Sequence, residues 1–176
     1  MARVAYAPTS GGDDTYQQLV QQIKDERGGR VLNLYRMLLN SPAVAAGWLH
    51  MGSAIRFRSK LDGAVRELAI CSVARATGAE YEWRAHSRLA REQGVSEAQL
   101  ADLTSWRGSD AYDPRQRAVL AYAEQMAHQI EVDDATFAEV QRWFDAQELV
   151  ELTSTIGFYH MVSRVLVALQ VDQEAG

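Results

Sequence analysis

The stretch Arg66 to Gly94, RELAICSVARATGAEYEWRAHSRLAREQG, constrains the rest of the chain more than any other. It reads as two helices broken at Gly78, because helical periodicity runs up to that glycine and resumes beyond it. In the first helix, Val65, Leu68, Ser72 and Ala76 share one side, and Ile70, Cys71 and Ala74 share the other. A helix that is apolar nearly all round belongs in a protein interior. Glu67 falls on the Ile70–Cys71–Ala74 side, so its carboxylate is expected to be largely withdrawn from water. In the second helix, Arg84, Ser87, Arg88, Arg91 and Glu92 make the polar side. The remaining stripe is Glu82, Ala85, His86, Leu89 and Ala90, which puts Glu82 and His86 on the inward face one turn apart. Carboxylates and an imidazole on inward faces are the groups from which acid–base sites are built. The same spacing also describes an ordinary intrahelical pair, worth about a few tenths of a kcal/mol.

Around this pair the chain reads as helices between caps. Residues 1–14 contain Pro8, Ser10 and Gly11-Gly12, have no period, and read as an irregular arm. Asp14 is expected to cap a first helix from Thr15 to about Glu26, with Gln17 completing a capping box. Its inward face carries Leu19, Val20 and Ile23, and Gly28-Gly29 stops it. Val31 to Leu39 is a short apolar second helix. Ser41-Pro42 starts a third, whose inward residues are Val44, Trp48, Leu49 and Ile55. Past Gly94, Ser96 caps the next helix with Gln99 completing a capping box. Trp106 to Tyr112 reads as a loop, and Asp113-Pro114 opens a helix with Leu120, Ala123, Ala127 and Ile130 inward. Asp133 caps a helix carrying Phe137, Val140 and Phe144. The last helix, about Ala146 to Gln170, places Leu149, Leu152, Ile156, Tyr159 and Val162 at helical spacing. No segment alternates like a strand, so the expected fold is all-α, and without a linker it is one domain over 1–176.

Composition removes several functions. With 176 residues, 47% of them hydrophobic and 23% charged, the chain is long enough to bury a substantial core. A net charge of −5 argues against nucleic acid as a partner, since a basic stripe is expected there. No apolar run approaches the ~20 residues that cross a bilayer, so no membrane partner is expected. The N-terminus lacks the apolar core of a secretory signal. The single cysteine, Cys71, cannot pair within the chain, and all of this points to a reducing cytoplasm. Glu82 and His86 supply only two ligands on one helical turn, so no metal is expected. No glycine-rich phosphate loop is present. His50 and His128 are lone helical histidines that read as structural. Trp48, Trp83, Trp106 and Trp143 read as core or interface residues.

Arg66-Glu67, then Tyr81-Glu82-Trp83, then His86, then the Leu89-Ala90…Gly94-Val95 helix end, resemble the carboxymuconolactone decarboxylase family. That family includes alkylhydroperoxidase D. Leu32-Asn33-Leu34-Tyr35-Arg36-Met37-Leu38, Glu148 to Leu152, and Gly157-Phe158-Tyr159-His160-Met161-Val162 resemble it as well. The resemblance implies an alkylhydroperoxidase D-like helical bundle that assembles with itself as a trimer or hexamer. The peroxidase branch carries a glutamate, a Cys-x-x-Cys pair and a histidine four residues after the second cysteine. Counting back from His86 puts Glu82 at the second cysteine, Ala79 at the first and Glu67 at the glutamate. The helical frame matches while both redox cysteines are missing.

Two kinds of chemistry then stand in order. The first is a cofactor-free lyase or isomerase acting on a small carboxylated lactone or related enolisable acid. Glu67, Glu82 and His86 are its expected acid–base residues. Tyr81 is a further hydrogen-bond donor, and Arg66 is placed to grip a substrate carboxylate. The resemblance brings the helix of Tyr159 and His160 to the same site. The second is a thiol peroxidase, disfavoured because it needs a nucleophilic thiolate and a resolving thiol. A non-catalytic oligomeric scaffold is the remaining reading.

Overall fold

A computed structural model describes residues 1–174, and among these every regular element is helical. Contacts group the chain into two compact units, Met1–Arg58 with the residues from Leu166 onward, and Ser59–Val165.

In the first unit, helix α1 spans Asp14–Glu26. Its cap is Asp13, whose carboxylate accepts the Tyr16 amide at 2.8 Å. The expected cap, Asp14, is therefore the first helical residue, and the irregular arm ends one residue earlier. Gln17 closes no capping box; its amide donates to the Gly11 carbonyl instead. Gly11 and Gly12 adopt φ of 80° and 83°. That reversal, open to glycine at little cost, delivers Asp13 rather than Asp14 to the helix start. The arm is pinned by the Arg3 amide on the Leu169 carbonyl at 2.9 Å and by Tyr6 donating to Asp172 at 3.0 Å.

Helix α2 is Asn33–Leu38 and α3 is Pro42–Ser53, with proline in the first turn. One π turn, Ala54–Arg58, prolongs α3. The inward face of α3 is Ala45, Trp48, Leu49 and Gly52. These follow i, i+3, i+4, i+7 spacing, so the expected inward residue Val44 lies one step out of phase and is 49% exposed.

The second unit carries α4 (Gly63–Thr77) and α5 (Glu80–Glu92), closed on each other by Gly78 at φ 65°. Helix α6 (Glu97–Asp102) begins with the expected Ser96–Gln99 capping box. A 3₁₀ turn, Leu103–Gly108, occupies the first half of what reads in sequence as loop. Leu68 and Cys71 of α4 pack with Ala90, Val95, Leu100, Leu103, Tyr112 and Leu120 into one apolar cluster. Ser87, expected on the polar side of α5, is buried at the edge of the Glu82–His86–Ala90 stripe.

Helix α7 (Pro114–Gln129) opens on a capping box of Asp113 and Gln116. It ends before Ile130, which turns to φ 66° and is exposed, contrary to its expected place in the buried stripe. Helix α8 (Asp134–Gln141) buries Val140 but leaves Phe137 substantially exposed. Helix α9 (Ala146–Leu169) buries all five residues expected of it, including Leu152 and Ile156. By length and composition α9 is apolar enough to cross a bilayer, yet half of its apolar window is buried inside the protein.

Candidate active site

The turn at Gly78 folds α5 back along α4 and brings three buried side chains together. Glu67 comes from α4, and Glu82 and His86 come from α5. Nδ1 of His86 lies 2.6 Å from Oε2 of Glu67. Nε2 of the same ring lies 3.4 Å from Oε2 of Glu82. The other Glu67 oxygen, Oε1, accepts from Nε of Arg66 at 3.3 Å. The order is thus Arg66, Glu67, His86, Glu82, with the imidazole between two carboxylates. Tyr159 of α9 meets the His86 ring edge-on, with centroids 4.8 Å apart and planes at 81°. That contact, together with the Glu67 bond, fixes the ring plane.

This arrangement settles where protons sit. With Arg66 on its far oxygen, Glu67 is an ionised acceptor, so the short bond is Nδ1–H donating to the carboxylate. Nε2 then faces Glu82, and a proton between those two atoms passes between imidazole and carboxylate without any change of position. Glu82 lies in the first turn of α5, where the positive end of the helix dipole favours a carboxylate. A carboxylate that fixes an imidazole, which in turn meets an acid–base group, is the geometry of general acid–base catalysis.

The other expected site residues divide. Tyr81 is buried one residue before Glu82, and Tyr159 touches the imidazole. Arg66 uses its Nε on Glu67, a link that helical spacing does not suggest because adjacent residues do not face each other. The long arginine stem bends back to make it. His160 sits next to Tyr159 in sequence but on another side of α9, and neither ring nitrogen meets a hydrogen-bond partner among the described residues. Among those residues no group of three or more His, Cys, Asp or Glu side chains is arranged to hold a metal ion. Cys71 is fully buried, and burial first, then the nearby Glu67 and Glu82 carboxylates, push its thiol up to about 12. It is a packing residue, not a thiolate.

His160 makes the stability of the protein pH-dependent. Burial, then the Arg164 and His128 charges, lower its pKa below the ordinary 6.5. On acidification the unfolded chain takes up this proton before the native one does. The contribution is therefore complete above about pH 6.5 and is lost as pH falls through the folded value. His160→Leu removes two unpaired buried polar atoms, so it is expected to be neutral or stabilising by up to about 1 kcal/mol at pH 7. It also flattens the decline of Tm between pH 6.5 and 5. Parallel Tm profiles for the two proteins would contradict this.

The Carboxymuconolactone decarboxylase family matches residues 42–125, a span that includes Glu67, Glu82 and His86. The uncharacterized protein YnjA of Escherichia coli K12 is 32% identical over 129 residues, which is 73% of this chain and 68% of that protein. An uncharacterized peroxidase-related protein from Silicibacter sp. TM1040 shares the fold with a TM-score of 0.82 at 20% identity, over 99% of this chain and 92% of that one. The debrominase Bmp8, solved with 2,3,4-tribromopyrrole, has a TM-score of 0.74 at 19% identity, over 92% and 87% of the two chains. Likeness at such identities establishes the alkylhydroperoxidase D-like fold, which hosts more than one chemistry.

Proposed function

The chain belongs to the carboxymuconolactone decarboxylase family, and from that premise we propose that it is a cofactor-free acid–base enzyme, a carboxy-lyase or isomerase for a small carboxylated lactone or related enolisable acid. The observation that carries this reading is the His86 ring held between Glu67 at 2.6 Å and Glu82 at 3.4 Å. In a decarboxylation the bond from carbon to the substrate carboxylate breaks, and carbon dioxide leaves. The bonding pair moves into the lactone carbonyl as a dienolate. Tyr81 is the proposed hydrogen-bond donor to that oxyanion. The proton that returns to carbon comes from the Nε2–Glu82 end of the array, because the Nδ1 end is committed to Glu67. A solvent proton then resets the site, so the net reaction consumes one proton and releases one carbon dioxide. Arg66 holds Glu67 ionised, and its remaining N–H groups are offered to a substrate carboxylate.

Thiol peroxidase chemistry lacks its nucleophile, since Cys71 is buried and its thiol is held protonated. Bmp8 acts on a brominated pyrrole according to its name and bound ligand, so a small ring-shaped substrate suits this scaffold. The reading is tested by carbon dioxide release from carboxylated lactones, with wild-type and His86→Asn proteins side by side. Release by the first and not by the second supports it. Equal release by both, or none from folded wild type, overturns it and leaves the non-catalytic scaffold.

We also propose that the chain works in the cytoplasm as a homo-oligomer of three or six copies. Val150, Met161 and Val167 of α9 are large apolar side chains open to solvent in the single chain, and a second copy would cover them. Sedimentation equilibrium at micromolar concentration is expected to give three or six chain masses. A monomer mass would contradict it.

A further inference from the structure

Glu67 uses one face of α4, and another face of the same helix borders a separate cavity of about 190 Å³. Ser72 and Arg75 come from α4, Thr104 and Trp106 from the 3₁₀ turn, and Glu124 and His128 from α7. These charges do not cancel inside the cavity. Glu124 is paired with Arg107, whose guanidinium also lies over the Trp106 ring at 4.3 Å. Arg75 lies flat on Trp83, its guanidinium carbon 3.5 Å from the ring centroid. It makes no ion pair with any described residue. Stacking of this kind fixes the guanidinium plane while leaving its in-plane N–H groups able to bind a planar anion.

We propose that this cavity is a second binding site, for a small planar carboxylate of single-ring size. Arg75 takes the carboxylate as a charge-assisted pair. The Ser72 and Thr104 hydroxyls are further donors, and the indole of Trp106 is the wall against which a flat ring packs. A divalent cation does not suit the cavity, because the one carboxylate lining it is already neutralised by Arg107. The volume falls below the ~300–1,000 Å³ of drug-sized sites, which limits the ligand to about one ring. The site is independent of the Glu67–His86–Glu82 array and stands whether or not that array turns over a substrate.

The test is calorimetric titration of the full chain with benzoate, benzyl alcohol and inorganic phosphate as probes. Wild type is expected to bind benzoate saturably, about tenfold or more tightly than either of the other two. Arg75→Met keeps an aliphatic stem on Trp83 and is expected to weaken benzoate at least about tenfold. Trp106→Leu is expected to weaken it as well, which covers the case of an Arg75 variant that does not fold. His86→Asn is expected to leave it unchanged. Absence of saturable binding, phosphate binding as well as benzoate, or insensitivity to both cavity variants would overturn the proposal. So would loss of binding in His86→Asn, which would place benzoate at the other site. A change of oligomer mass in Arg75→Met would also overturn it, marking the cavity as a contact between copies.

Discussion

A His86→Asn protein is expected to fold and to lose about 10²–10⁴-fold in turnover, the range that follows removal of a general acid–base group. The amide of asparagine can still donate to Oε2 of Glu67, where Nδ1–H donates at 2.6 Å in the wild type. It cannot accept a proton on one side and release one on the other. The loss should therefore fall on kcat, and on kcat/KM by a similar factor, with KM nearly unchanged. Circular dichroism of the variant should match the wild type. A well-folded His86→Asn protein that releases carbon dioxide at the wild-type rate would remove the imidazole from the mechanism.

Glu67→Ala is expected to be the most destabilising single change in the site, by about 3–5 kcal/mol, the range seen when one partner of a buried ion pair is deleted. Glu67 is 2% exposed and bonds both to Arg66, which is itself mostly buried, and to His86. Its removal strands a buried guanidinium and an imidazole, and opens a cavity beside Ile70 and Cys71. Glu67→Gln keeps the volume and one acceptor, so it should cost markedly less. Urea unfolding of the three proteins gives the comparison. A loss below about 1 kcal/mol for Glu67→Ala would mean that the carboxylate has no structural partners.

The site was legible where helical geometry alone decides direction. Glu82 and His86 are four residues apart on a stripe that ends in Ala90, and Glu67 shares its side with Ile70, Cys71 and Ala74. All of these are buried except Ala85 and Leu89, which are partly so, and the short turn at Gly78 leaves the two helices little choice but to pack. The family resemblance placed α9 nearby, and Tyr159 meets the imidazole. The misread positions have a common cause, a phase or boundary set by something other than the local stripe. Val44 is displaced by the spacing that Ala45, Trp48 and Leu49 impose on α3. Ile130 is lost because α7 ends at Gln129. Asp13 replaces Asp14 as a cap because two left-handed glycines precede it. The Arg66–Glu67 link was hidden for a different reason: it depends on a side-chain conformation, which no periodicity encodes.

The central claim is that His86 is held as a proton relay between Glu67 and Glu82, and ¹⁵N spectroscopy of the labelled imidazole tests it most directly. The predicted spectrum has Nδ1 as the protonated nitrogen, with a proton signal that moves on Glu67→Gln. Glu82→Gln should instead shift Nε2 while Nδ1 keeps its proton. A His86 ring whose Nδ1 carries no proton, or whose two nitrogens respond to neither substitution, would contradict the relay.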